Sequence, residues 1–90
     1  VITDDNPRSE PSQRIISDIL DGMHCPWAAE VIPNRGEALA KTLEQAQTGD
    51  VILVAGKGCE RYQEVDGTRL EFSDINKVEF LLSLRESAAV

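Results

Sequence analysis

Apolar residues along this chain fall into short runs and helical stripes that alternate. Val1-Ile2-Thr3 is β-branched and reads as the end of a strand. A polar loop follows, from Asp4 to Glu10. Pro11 suits the first position of a helix, where its missing N–H costs nothing. Ile15, Ile16, Ile19 and Leu20 then mark one helical face, and Asp21-Gly22 closes it. An irregular connection around Pro26 carries Trp27, expected to be a packing anchor. Ala29 to Ile32 is a short strand. Asn34, with Glu37 three residues on, gives a capping-box-like start to a second helix. Its buried face would be Ala38, Leu39, Thr42, Leu43 and Ala46, with Gly49 just past its end. Val51-Ile52-Leu53-Val54-Ala55 is a continuous apolar run, the pattern of a strand covered on both faces. Tyr62 to Val65 and Thr68 to Phe72 flank Asp66-Gly67, a two-residue hairpin signal. Ser73 caps a last helix, on which Ile75, Val78, Leu81, Leu82 and Arg85 share one side.

Strand, helix, strand, helix, strand, hairpin, helix is an α/β order. It predicts a parallel sheet with flanking helices plus a β-hairpin, the parallel strands being Val1–Thr3, Ala29–Ile32 and Val51–Ala55. Ligands of such sheets sit outside the carboxyl ends of the strands. Two loops fall there: Thr3 to Glu10, and Gly56 to Tyr62.

Composition narrows the classes. Ninety residues make one domain or part of one, and 41% hydrophobic with 28% charged residues is globular rather than disordered. A net charge of −7 with scattered Lys and Arg argues against nucleic acid and anionic membranes as partners. The longest apolar run is strand-sized, too short to span a bilayer. The chain opens inside an apolar run without a signal-like start, so it is expected to belong to something larger. Two cysteines make no disulfide framework, and a reduced, cytoplasmic protein is the default. His24, Cys25 and Cys59 lack a fourth ligand and any C-x-x-C spacing, so no metal site is expected.

The first loop, Asp4-Asp5-Asn6-Pro7-Arg8, is a turn by composition. It also sets Asn6 and a guanidinium, Arg8, at the sheet's edge, and an Arg fork grips carboxylates bidentately. The second, Gly56-Lys57-Gly58-Cys59-Glu60, lacks the hydroxyl that a P-loop places after its Lys, and it completes no dinucleotide fingerprint. A flexible turn remains, able to bring backbone close to a ligand, followed by a carboxylate. One cationic fork and one carboxylate suit a zwitterionic amino acid. The site therefore reads as a binding site, with no nucleophile or general base in view.

These residues carry a resemblance. Asp5-Asn6-Pro7-Arg8 is similar to the D-N-P-R signature of muramyl ligases that add meso-diaminopimelate. Ala55 to Glu60, with Tyr62-Gln63, resembles the family's A-G-K-G-H-E-x-Y-Q stretch. Asn34-Arg35 through Leu39 resembles D-R-x-x-A-I, and Phe72-Ser73-Asp74 resembles the F-x-D that opens the last helix. The resemblance implies that residues 1–90 are the later part of the C-terminal, amino-acid-binding domain. It implies an intact enzyme that uses ATP and Mg2+, bound outside this segment, to join meso-diaminopimelate to a UDP-N-acetylmuramoyl dipeptide. An upstream ATP-binding domain of the same protein would be a partner, and these ninety residues alone would be inactive. Arg8, with Asn6 beside it, would take the distal carboxylate of diaminopimelate; the Gly56 backbone and Glu60 would take the distal ammonium. Asp5 and Pro7 would shape the loop, and Lys57 has no assigned role. Cys59 stands where the family has His, and Asn34 where it has Asp, which removes an expected carboxylate partner for Arg35. The alternatives are a stand-alone amino-acid-binding or interaction module of the same fold and a lysine-adding ligase. Arg8 argues against the latter, because lysine has no distal carboxylate.

Overall fold

A computed structural model describes residues 1–88. Its elements are helix α1 (Ser12–Asp21), helix α2 (Arg35–Gln45), strands β1 (Tyr62–Val65) and β2 (Thr68–Glu71), and helix α3 (Asp74–Ala88), with a 3-10 turn at Pro26–Ala28. α1 starts one residue later than the Pro rule suggests. Pro11 is the N-cap, and Ser12 opens the helix with its hydroxyl bonded to Asp4 Oδ2 at 2.6 Å. At α2 the expected cap forms: Asn34 Oδ1 accepts from the Glu37 amide at 2.9 Å. Ser73 Oγ likewise accepts from the Asn76 amide at the start of α3.

Before α1, the chain pairs in parallel with the segment after the 3-10 turn. The amide of Ile2 donates to Glu30 O at 2.8 Å, that of Ile32 to Ile2 O at 3.0 Å, and that of Asp4 to Pro33 O at 3.1 Å. The expected parallel strands at Val1–Thr3 and Ala29–Ile32 thus meet around a single bridge, Ile2–Val31, and Pro33 stops the ladder. Val51–Ala55 departs further from expectation. It joins no strand among the described residues; Val51 is 94% and Leu53 88% exposed, while Ile52 and Val54 turn towards an apolar groove. The groove, of about 400 Å³, lies between this run and Val1–Thr3. A run suited to cover on both faces here has cover on one.

The hairpin forms as its sequence predicts. Asp66 and Gly67 both take positive φ, +49° and +77°, as a two-residue turn of mirror-image type requires. The strands pair antiparallel from Tyr62–Glu71 to Val65–Thr68, and the Phe72 amide adds a bond to Arg61 O.

The core is small: Ile16 of α1, Ala38 and Leu39 of α2 and Pro7 of the first loop are the buried apolar residues among those described. α2 packs against α3, and Arg85 of α3 donates to the free carbonyls Leu43 O and, at 2.8 Å, Ala46 O at the end of α2. Of the expected apolar stripe on α3, Val78 and Leu81 are half-buried, but Ile75 and Leu82 are exposed. Trp27 anchors nothing; it is 81% exposed. The body measures 43 × 33 × 17 Å, with a radius of gyration of 14.3 Å. A compact chain of this length would have about 12 Å. It is flattened, with apolar side chains exposed along residues 51–53 and on α3.

Candidate functional site

The two suspected loops leave the ends of extended segments that one arginine ties together. Arg35, at the first turn of α2, is buried. Its Nε and Nη2 bond both carboxylate oxygens of Asp74 at 2.7 Å, Nη1 donates to Asp4 O at 3.1 Å, and Nη2 also donates to Ala55 O at 2.9 Å. The carboxylate partner missing at Asn34 is therefore supplied from α3. The Asp74 hydrogen bonds are the main force raising the Arg35 pKa, against the lowering effect of burial; the charges of Asp74, Asp5 and Glu60 add to the rise. Asp4 opens the first loop and Ala55 is the last residue before the second, so this clamp fixes where both begin.

A second cation ties the loops themselves. Lys57 is wholly buried at its side chain, and its three N–H donors go to Asp5 Oδ1 at 2.9 Å, Asn6 Oδ1 at 3.0 Å and Tyr62 O at 3.0 Å. Asn6 Oδ1 also accepts from the Glu64 amide at 2.9 Å. The oxygen of Asn6 is thus spent on the protein, and its Nδ2 group is the part left to face a ligand. Gly56 turns the chain at φ +112°, and a Cβ there would lie 3.3 Å from Asp5 Oδ2. Only glycine holds this backbone readily.

Arg8 closes the first loop. Its amide donates to Glu64 O at 2.9 Å, its carbonyl accepts from Asp66, and it forms a parallel bridge with Val65, so the loop's end lies along β1. Its φ is +56°, a left-handed conformation that costs a non-glycine residue about 1–2 kcal/mol. The guanidinium is 70% exposed and touches the protein through a long 3.4 Å contact to Glu64. Pro7 is buried beneath the loop. A cavity of about 210 Å³ runs along it, lined by Thr3 to Arg8 with Ile15 and Ile19. Asp5, Asn6, Pro7 and Arg8 therefore share one recess. Gly56 touches it from behind, through Asp5, and Glu60 is half-buried on the second loop, outside the lining. Among the described residues no group of three or more His, Cys, Asp or Glu is placed to hold a metal.

A family model described as Mur ligase, glutamate ligase domain, matches residues 1–58. The chain belongs to that family. Beyond the matched stretch, the similarity of this Mur ligase domain to known proteins runs through the hairpin and α3. It is 48% identical over 86 residues to the UDP-N-acetylmuramoyl-L-alanyl-D-glutamate–2,6-diaminopimelate ligase of Pseudomonas aeruginosa. It is 45% identical over 87 residues to the ligase of the same name from Pseudomonas putida. These alignments cover 96% and 97% of this chain but 18% of each relative, so the chain spans about a fifth of their length. A solved structure of a ligase of that name superposes with a TM-score of 0.84 at 37% identity, covering 93% of this chain and 18% of that one. The α/β expectation thus holds as part of a Mur ligase domain with an added hairpin, although the parallel ladder is short here.

Two residues that organise the site escaped the sequence reading. Lys57 was legible only as a lysine between two glycines. Asp74 was legible as part of a helix start, with nothing to say that its carboxylate meets Arg35.

Proposed function

We propose that this chain is the diamino-acid-binding part of a ligase that joins meso-diaminopimelate to a UDP-N-acetylmuramoyl dipeptide in peptidoglycan synthesis, and that the whole enzyme works in the cytoplasm. The observation that carries the reading is Arg8: an exposed guanidinium, held in a strained backbone conformation at the mouth of a recess, on a loop fastened to the loop that bears Glu60. Strain at an exposed polar side chain is maintained where the surroundings impose it, and a binding role explains why. The relatives' names point to the same amino acid.

In this reading Arg8 grips the distal carboxylate as a fork, with the Asn6 Nδ2 group beside it. Glu60 and the Gly56 backbone hold the distal ammonium. The distal end of the diamino acid is then fixed through both its charges, and the amine at the other end is left free for amide formation. Lysine would leave Arg8 facing a chain end that has an ammonium but no carboxylate. ATP, bound with Mg2+, supplies the energy for the amide bond, but the residues here do not suit a nucleotide. The lysine of the Gly56-Lys57-Gly58 turn has all three donors engaged within the protein, one of them by the carboxylate of Asp5. The nucleotide would be held elsewhere in the polypeptide.

Steady-state kinetics of the intact ligase test this. A carboxylate contact of this kind is worth about 1.5–3 kcal/mol. Arg8→Ala is therefore expected to lower kcat/KM for meso-diaminopimelate by about tenfold to a hundredfold, with KM for ATP and the UDP-sugar peptide unchanged. Lysine is expected to be a poor substrate. Equal use of lysine and diaminopimelate would instead support the lysine-adding alternative.

A further inference from the structure

We propose that Lys57 is a positioning residue for the diamino acid, setting the spacing between the group that takes its carboxylate and the group that takes its ammonium. The proposal rests on the binding reading given above for Arg8 and Glu60.

Lys57 cannot touch the ligand itself, because its side chain has no exposed surface and its three donors are engaged. Its partners belong to two separate segments. Asp5 and Asn6 belong to the first loop; Tyr62 O follows the second and begins β1. Through Asn6, whose oxygen also takes the Glu64 amide, the ammonium fixes how the first loop lies along β1, and Arg8 continues that contact. On the other side, the Lys57 carbonyl accepts from the Glu60 amide at 3.0 Å, so the residue whose side chain holds the first loop also holds the turn bearing Glu60. The Arg35 clamp fixes where the loops start, at Asp4 O and Ala55 O, and makes no bond to Asn6, Arg8 or Glu60. The bridge of Arg8 to β1 and the Lys57 bonds together set where Arg8 lies relative to the turn that bears Glu60, and Lys57 is the side chain that joins the two loops.

Burying an ammonium costs heavily unless every donor is met. A lysine needed only to fill this space could be replaced by an apolar side chain without that cost. Removing its charge leaves the Asp5 carboxylate without its partner and the Asn6 oxygen with only the Glu64 amide, which loosens the first loop against β1.

The test uses the intact ligase with Lys57→Met, which keeps the length of the side chain and removes the ammonium. KM for meso-diaminopimelate is expected to rise about tenfold or more, kcat to fall less, and KM for ATP and the UDP-sugar peptide to stay within about twofold. The preference for diaminopimelate over lysine should narrow, because the two charge-holders are no longer held at one spacing. A purely structural lysine would lower the melting temperature and leave that preference unchanged. A folded Lys57→Met enzyme with unaltered KM and unaltered preference overturns the proposal. Should Lys57→Met fail to fold, Asp5→Asn keeps the acceptor and weakens the pair. It is expected to shift KM and preference in the same direction by a smaller factor, and no shift there overturns the proposal. Failure of the binding reading is separate: it appears in the unmutated enzyme, as use of lysine in preference to diaminopimelate. The Lys57 variants are then read on the KM of lysine, where an unchanged value again overturns the positioning role.

Discussion

Gly56 sits where two requirements meet. Its φ of +112° is open to glycine and strained for other residues, and Asp5 Oδ2 lies 3.3 Å from where a Cβ would stand. Gly56→Ala is expected to cost about 1–3 kcal/mol in chemical denaturation and to move Asp5, and with it the Lys57 pair. An unchanged midpoint would mean the turn relaxes at no cost. At this scale the sequence was informative where a residue's chemistry is carried by its own side chain. Arg8 offers a guanidinium and Glu60 a carboxylate whatever surrounds them. Lys57 was opaque for the opposite reason: its chemistry is consumed by Asp5, Asn6 and Tyr62, and only the fold brings Asp5 and Asn6 to it.

Helix α2 is held at both ends by different devices. Asn34 caps its start, and Asn34→Ala is expected to lose about 1 kcal/mol of stability. Next to the cap, the buried Arg35–Asp74 pair joins α2 to α3 and to both loops. Asp74→Ala would leave the guanidinium buried without its counter-ion, at an expected cost of about 3–5 kcal/mol in denaturant unfolding, several times the loss of the cap. A loss under about 1 kcal/mol would show that water replaces the carboxylate. Arg35 has a raised pKa, so its contribution is complete below the unfolded guanidinium value and is lost only as pH climbs through the still higher folded one. The clamp should therefore hold through neutral and moderately alkaline pH. Elements built from nearby residues were the legible ones. The hairpin follows from Asp66-Gly67, and α2 from Asn34 and its apolar stripe. The parallel strands were readable as segments but not as a sheet, because pairing depends on neighbours distant in sequence. Val51–Ala55 has the composition of an inner strand and finds no strand beside it among the described residues.

For the whole molecule, exposed apolar surface dominates. Val51, Leu53 and Trp27 are almost fully exposed, and a groove of about 400 Å³ runs beside Val1–Thr3. Apolar surface next to extended backbone with free hydrogen-bonding groups favours self-association. The ninety-residue chain alone is expected to show a mass that rises with concentration in sedimentation or light scattering, and Leu53→Lys should reduce the effect. A strictly monomeric chain at high concentration would contradict this. The shape could not be inferred from composition, since 41% hydrophobic residues is ordinary for a compact domain. What matters is that these residues have few of their own kind to pack against within the chain.

The left-handed backbone at Arg8 also bears on how this protein would respond to selection. Glycine or asparagine at that position would relax the φ of +56°. A screen for thermal tolerance alone should therefore enrich Arg8→Gly or Arg8→Asn, and each would discard the guanidinium that the recess presents. If Arg8 binds the diamino acid as proposed, stability and substrate capture pull in opposite directions at one codon.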